Sequence, residues 1–566
     1  MEGTVGEAAL IITATPGGRP FPWERSYPPA MDWDAPVDVM TLPAMLDEVA
    51  GEYGDRPALE YRGQRISYAG LRERADRFAA GLMRAGLAPG DRVALLLPNT
   101  PWHPIAFFGV LRAGGVVVHL TPLDPPRSSA RKMADSGARW LVSTNLLGLL
   151  PIALTLLDGG HADRLILGED EVWEGHSPGL QAPHDARILL GSQVAAEPDA
   201  PWPPLAAKDV AVLQYTGGTT GLPKGAMLTH ANLTAAASMY RNWDRGRGYV
   251  PGPDERAICV LPLFHIYALS AVLLRALRTG VEVLLRPRFD VEGVLHDIEV
   301  GRATSFPGVP TMWIALAAHP GIEARDLSSL RYVGSGGAAL PTETAQRFET
   351  LTGLRLGGGW GMTETSPAGT TLPPGASPGH GSIGLPLPGI EMDVVALDDP
   401  RRVLPPGEVG EIRIRGPNVT PGYWNRPEET AAAFVDGWFL TGDVGRMDEA
   451  GVFYIVDRRK EMIISGGFNV YPRTIEEAIH EHPDVVEAAV IGVPDAYRGQ
   501  AAKAYVQMRD GAPPLTLEAL RAFLADKLGR HEMPTALELR EALPRTPVGK
   551  LAKRELAEEA RAKAEG

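Results

Sequence analysis

Cysteine is almost absent: Cys259 stands alone among 566 residues, so no internal disulfide can form, and such a chain suits a reducing cytosol. It lies in the apolar run 257–260 and reads as a core residue, not a nucleophile. Basic residues are in the minority, 55 Lys and Arg against 69 Asp and Glu, for a formal charge of −14. Binding a phosphate backbone needs clustered cations, so no nucleic-acid partner is expected and any phosphate site has to be built locally. Long hydrophobic runs are missing too. The oiliest stretch, residues 146–157, is broken by Gly148, Pro151 and Thr155 and falls well short of the ~20 apolar residues that cross a bilayer. No membrane span is expected. The apolar patch at residues 8–12 follows Glu2 and Glu7 instead of a basic start, so export is not expected and the cytoplasm is the expected location.

What is present is ordinary globular material, 44% hydrophobic and 22% charged, with 64 glycines and 51 prolines that imply many tight turns. A chain this long is expected to split into domains. Leu71, Ala75, Phe78 and Leu82 recur at helical spacing, followed by strand-like 93–97, helical 105–111 and strand-like 116–120. Residues 258–261, 268–277 and 281–285 repeat the strand, helix, strand order. The expected fold class is therefore α/β: a large N-terminal domain of mostly parallel sheets with packed helices, plus a small α+β C-terminal domain. For the latter the strands are 485–491 and 504–508 and the helix 517–528. Domain limits are placed at 1–457 and 461–566, with a hinge at 458–460 that begins beside Asp457.

Residues 215–230, YTGGTTGLPKGAMLTH, pack four threonines, four glycines and one lysine into sixteen positions. The common nucleotide loop needs Gly-Lys followed by Ser or Thr, and here Lys224 follows Pro223 and precedes Gly225. The stretch offers something else: hydroxyls from Thr216, Thr219 and Thr220, close backbone approach at Gly217, Gly218 and Gly221, and Lys224 as a mobile cation. Further strings follow in order: VGSGGAAL (333–340), GGGWGMTETSP (357–367), GWFLTGDVG (437–445), DRRK (457–460), SGGFN (465–469) and LPRTPVGKLAKREL (543–556).

Together, and in this order, the strings resemble the adenylate-forming superfamily of acyl-CoA synthetases, aryl-CoA ligases, firefly-type luciferases and peptide-synthetase adenylation domains, over residues 42–556. The resemblance implies that Thr216, Gly217, Gly218, Thr219, Thr220, Gly221 and Lys224 hold the β and γ phosphates of ATP. Gly336, Gly337 and Ala338 would lie along adenine, with Gly359, Trp360, Gly361 and Met362 covering it. The family's usual aromatic is tyrosine, so stacking survives in Trp360 while a hydroxyl contact does not. Thr363 would reach phosphate and Glu364 would hold Mg²⁺, a hard ion that borrows most of its oxygens from water and nucleotide. Asp443 would accept from both ribose hydroxyls, with Val456 and Arg458 beside the nucleotide. Lys460 falls at the hinge position, Lys550 matches the adenylation lysine, and Ser465, Gly466, Gly467 and Phe468 would wall the coenzyme A tunnel. Gln500, where the family more often has glutamate, keeps the size and loses a charge.

The implied reaction joins a carboxylate to AMP with release of pyrophosphate, then passes the acyl group to the thiol of coenzyme A. His265 is expected at the mouth of the acyl pocket and counts among the catalytic residues with Lys550, Thr363 and Glu364. Tyr267, Ala268 and Leu269 would form one wall, while Gly357 and Gly358, with Gly359, would leave the facing wall bare. An apolar slot of this kind points to a medium- or long-chain fatty acid. An aryl or dicarboxylic acid remains open, as does a separate carrier protein in place of coenzyme A, since no Gly-Gly-x-Ser attachment motif is present. A luciferase-like oxygenase has no support from pocket composition, and Lys550, Glu364 and Asp443 argue against a silent binding protein. A homodimer is compatible with the resemblance.

Overall fold

The computed structural model describes residues 20–173, 175, 179–216, 223–337, 342–373, 381–465, 468–495, 497–546 and 551–565. Two compact units emerge: Met1–Ser377 with Gly384–Glu391 and Arg415–Phe434, and Pro378–Ile383 with Met392–Ile414 and Val435–Gly566. The division by compactness thus falls upstream of the hinge expected at 458–460.

The first unit carries the alternation read from the sequence. One sheet runs, in spatial order, Ile188–Leu190, Arg164–Gly168, Trp140–Thr144, Arg92–Leu95, Val116–His119, Val210–Thr216, all parallel, and ends in Lys224–Thr229, which is antiparallel to its neighbour. A second parallel set runs Gly357–Trp360, Tyr332–Ser335, Ser305–Gly308, Arg256–Cys259, Glu282–Leu285, Pro57–Tyr61. Both helices Tyr68–Arg84 and Trp102–Arg112 share one core with strands of both sheets. Every residue of Trp102–Arg112 is buried, as expected where parallel strands are covered on both faces. Cys259 belongs to this core, and burial pushes its thiol up to about 12, so it stays protonated and inert.

One sequence expectation needs refinement. Residues 268–277 read as an ordinary helix, whereas Tyr267–Leu274 forms a wide helix of the i→i+5 type that passes into Arg275–Arg278 as α-helix. Apolar residues at nearly every position leave no periodicity to tell the two apart, and such wide segments recur at functional sites.

The second unit is mostly antiparallel. Gly410–Arg415, Trp438–Met447 and Phe453–Arg458 pair in that order. A separate sheet joins Phe468–Val470, Ile463–Ser465, Gly499–Met508 and Val485–Asp495, with Ala536–Leu539 parallel to Gly499–Met508. Its core lies under the helices Pro472–His480 and Leu517–Leu524. Among the described residues no helix is long and apolar enough to cross a membrane.

Candidate active site

The phosphate-loop sequence lies between two strands that form a hairpin in register Thr216↔Lys224. Gly217, Gly218, Thr219, Thr220 and Gly221 fall outside the described residues, so the structure locates the loop by its ends. Those ends are held firmly. Tyr215 donates its hydroxyl to Asp135 Oδ2 at 2.7 Å, and Arg426 grips the other oxygen of the same carboxylate at 2.7 Å. The outgoing strand stops at a capping box, in which Thr229 Oγ1 accepts from Asn232 N and Asn232 Oδ1 accepts from Thr229 N, starting the helix His230–Gly246.

The second segment expected at the nucleotide is the short turn Thr363–Thr365, closed by Ser366 at φ 60°. A non-glycine residue in the left-handed region persists only where its surroundings over-determine it, and they do. Ser270 Oγ donates to the Ser366 carbonyl at 2.6 Å, and Asn418 Nδ2 donates to the carbonyls of Thr365 and Ala368 at 2.8 and 2.7 Å. Thr363 is half-buried at the start of the turn, whereas Glu364 is buried and accepts from the Tyr423 hydroxyl at 2.9 Å. Burial, then the Glu364 charge, pushes the Tyr423 phenol up, so it remains a donor at neutral pH. On the ring of Tyr423 lies the Lys224 amine, 5.4 Å from the centroid. A cation from the phosphate hairpin and the expected metal-ligating carboxylate therefore meet at one tyrosine.

A hard divalent ion fits this arrangement. Among the described residues no group of three or more His, Cys, Asp or Glu could hold a metal alone. A single buried carboxylate that shares its ion with phosphate oxygens and water is the pattern magnesium favours.

His265 is half-buried, and its Nδ1 accepts from Tyr267 N at 3.2 Å. The segment leading to it is held by two side chains that sequence reasoning missed. Asn99 accepts from Leu263 N and donates to the Leu261 carbonyl, both at 2.8 Å. Gln214 donates to the Phe264 carbonyl at 2.9 Å and bonds His119 Nδ1 at 2.9 Å through its oxygen. Of the expected pocket wall, Tyr267 retains some exposure, whereas Ala268 and Leu269 are fully buried in the main core.

The glycines also need restating. A Cβ at Gly336 would lie 2.8 Å from the Tyr267 ring, one at Gly359 2.4 Å from the Thr370 carbonyl, and one at Gly361 1.4 Å from the Pro367 carbonyl. Backbone crowding requires glycine at 359 and 361 before any ligand is considered. Gly357 and Gly358 are less confined, their nearest neighbours 3.2 and 3.3 Å from such a Cβ. Gly337 has φ 81°, Trp360 and Met362 are half-buried, and Ala338 lies outside the described residues.

In the second unit the structure brings Asp443 and Arg458 together. They are direct cross-strand partners, with Arg458 Nε 2.6 Å from Asp443 Oδ1. Asp443 is 2% exposed while the arginine side chain is 41% exposed, so one partner is fixed and the other reaches solvent. Arg458 lines a cavity of about 370 Å³ with Thr441, Gly442, Arg459 and Lys460, and Val456 lies half-buried on the same strand. At the expected hinge, burial pushes Asp457 up to about 6, against two backbone donors, Arg458 N at 2.7 Å and Arg473 N at 2.8 Å.

Ser465 ends one strand of a hairpin and the exposed Phe468 begins the next, while Gly466 and Gly467 fall outside the described residues. Gln500 has a role here, because its carboxamide oxygen accepts from Ile464 N at 2.9 Å. Losing the charge at this position keeps that acceptor. Lys550 also lies outside the described residues, but its flanks pair: Arg545 bridges Leu551, and Ala552 N donates to the Pro544 carbonyl at 2.8 Å. Beyond them Lys553 binds Glu476 and Glu461 at 2.9 and 3.1 Å, anchoring the helix that begins there.

The first unit thus brings Lys224, Tyr423 and Glu364 together, and similarity to known proteins says to which family the chain belongs. Residues 46–424 match the AMP-binding enzyme family and residues 474–550 match the AMP-binding enzyme C-terminal domain. The chain belongs to this family of adenylate-forming enzymes. It is 38% identical over 554 residues to a long-chain-fatty-acid–CoA ligase of Bacillus subtilis (strain 168), covering 95% of this chain and 98% of that one. It is 40% identical over 504 residues to a feruloyl-CoA synthase of an Amycolatopsis species, covering 88% and 95%. Among solved structures, ATP-bound MatB from Rhodopseudomonas palustris is similar with a TM-score of 0.81 and 30% identity, over 91% of this chain and 98% of that one.

Proposed function

We infer that the protein is an ATP-dependent acyl-CoA synthetase acting on medium- or long-chain fatty acids in the cytoplasm. A carboxylate is a poor electrophile because its leaving group would be oxide. In the first half-reaction a carboxylate oxygen attacks the α-phosphorus of ATP, the bond to the β-phosphate oxygen breaks, and acyl-AMP and pyrophosphate form. In the second, the thiol of coenzyme A attacks the acyl carbonyl, loses its proton and expels AMP.

The observation that carries this reading is the meeting of Lys224 and Glu364 at Tyr423. Negative charge accumulates on the oxygens around the α-phosphorus and on departing pyrophosphate, and catalysis requires positive charge and oriented donors aimed there. Lys224 and the threonines of residues 216–220 supply cation and donors. Glu364 would hold Mg²⁺, which supplies a Lewis acid on the phosphate oxygens. Asp443 would orient the ribose through its hydroxyls, with Arg458 held 2.6 Å from its carboxylate. No protein base is needed, because the fatty acid arrives ionised at neutral pH. Lys550 would serve the first half-reaction and withdraw for the second, with residues 465–468 brought up as the tunnel wall by rotation about Lys460.

The fatty-acid reading rests on full-length similarity to the Bacillus subtilis ligase and on the apolar segment after His265. Each buried methylene contributes ~0.8 kcal/mol, so kcat/KM is expected to climb about fourfold per added CH₂ until the slot is full. Measuring AMP release across acids of increasing chain length, with coenzyme A present, checks this. A flat response with a sharp optimum for a cinnamate-type acid would move the substrate to the aryl class.

A further inference from the structure

The segment 417–424, PNVTPGYW, was not singled out by its sequence, yet it is strapped across both nucleotide segments of the first unit. On one side it pairs with the strand leaving the phosphate loop: Trp424 N donates to the Gly225 carbonyl at 2.8 Å, Met227 N to the Gly422 carbonyl at 2.9 Å, and Tyr423 bridges Ala226. Thr420 Oγ1 adds a bond to the Met227 carbonyl at 2.6 Å. On the other side Thr420 N donates to the Glu364 carbonyl at 2.7 Å, while Asn418 holds the carbonyls of Thr365 and Ala368. Asn232, from the helix after the hairpin, ties down the strap itself through the carbonyls of Pro417 and Val419.

The strap turns at Gly422, where φ is 144° and a Cβ would lie 2.4 Å from Thr430 Cγ2. That turn presents Tyr423, whose backbone N–H is fixed on Thr430 Oγ1 at 3.0 Å. Its hydroxyl then reaches Glu364 Oε1 and its ring carries the Lys224 amine. A carboxylate with one oxygen held by a rigid phenol loses freedom about its last torsion, so the direction of its other oxygen is set as well. Groups that orient a metal ligand in this way are worth about 10- to 100-fold in metal affinity or activity.

We propose that Tyr423 is a positioning residue for pyrophosphate departure: its hydroxyl aims the Glu364 carboxylate at the metal bound to ATP, and its ring sets the resting place of Lys224. One side chain thus fixes the spacing between the two positive centres that receive the leaving group. The proposal rests on the reading of Glu364 as the magnesium carboxylate.

The test is calorimetric binding of ATP to wild-type protein and to Tyr423→Phe, with Mg²⁺ and with the metal chelated, alongside thermal midpoints. Wild type is expected to gain affinity for ATP when Mg²⁺ is present. In Tyr423→Phe that gain is expected to shrink by about tenfold, with metal-free affinity unchanged and the thermal midpoint lowered by the loss of one buried hydrogen bond. In a Glu364→Gln background the phenylalanine substitution is expected to add nothing, because the group it aims has lost its charge. A Tyr423→Phe protein with the full wild-type gain overturns the proposal and leaves the ligase reading standing. So does an equal loss with and without metal, or in both backgrounds, which would make Tyr423 a fold residue only. A wild-type protein with no magnesium-dependent gain overturns the assignment of Glu364, and the proposal with it.

Discussion

Lys550→Ala is expected to slow acyl-adenylate formation by about 10²- to 10³-fold, a loss of ~2.7–4 kcal/mol of transition-state stabilisation. The reason is electrostatic. In the proposed reading the lysine of the string PVGK brings a full cation to the carboxylate and α-phosphate oxygens as charge builds there. Thioester formation from supplied acyl-AMP is expected to lose far less, because in that step the thiol must occupy the space the lysine has vacated. Single-turnover measurement of the two half-reactions separates them. Equal losses in both would contradict the two-posture account and return Lys550 to an ordinary surface role.

Asp443 carries the second large effect. Its carboxylate is buried against Arg458, and hydrogen bonds to a charged group are worth ~1.5–3 kcal/mol each. In the proposed reading Asp443 accepts from both ribose hydroxyls, so Asp443→Ala is expected to raise the dissociation constant for ATP by about 10²-fold. Asp443→Asn keeps one acceptor and is expected to cost about tenfold. The arginine side chain is 41% exposed, so solvent can take up its charge and the fold is expected to survive either change. Calorimetric titration with ATP reads the series, and equal affinity in all three proteins would remove Asp443 from the nucleotide site.

Both residues were expected from the motif strings, and of the two Asp443 lies among the described residues. Asp443 and Arg458 belong to adjacent strands of one hairpin, and a register of whole residue pairs decides whether two such positions meet. The phosphate loop was expected because its threonines, glycines and lysine are concentrated in one short stretch. The α/β class followed from the alternating hydrophobic periods of residues 71–120 and 258–285.

Tyr423, Asn418 and Gln214 were not legible, and the cause is distance along the chain. Tyr423 reaches Glu364 across 59 positions, Asn418 reaches Thr365 across 53, and Gln214 reaches the Phe264 carbonyl across 50. No period or turn rule connects residues so separated. The signal that could have found Tyr423 and Asn418 is the string NVTPGYWNRPEET, a polar stretch punctuated by glycine and proline. The glycines at 359 and 361 show the opposite difficulty. They read as a ligand-facing surface, whereas a neighbouring backbone occupies the space where a side chain would go.

The most direct test of the account is exchange of labelled pyrophosphate into ATP by the purified protein, with Mg²⁺ and a fatty acid but no coenzyme A. The account predicts exchange that depends on the acid, since adenylate formation is reversible and complete without the thiol. A protein that binds ATP yet exchanges no label with any acid, from short chains to aryl acids, would contradict it.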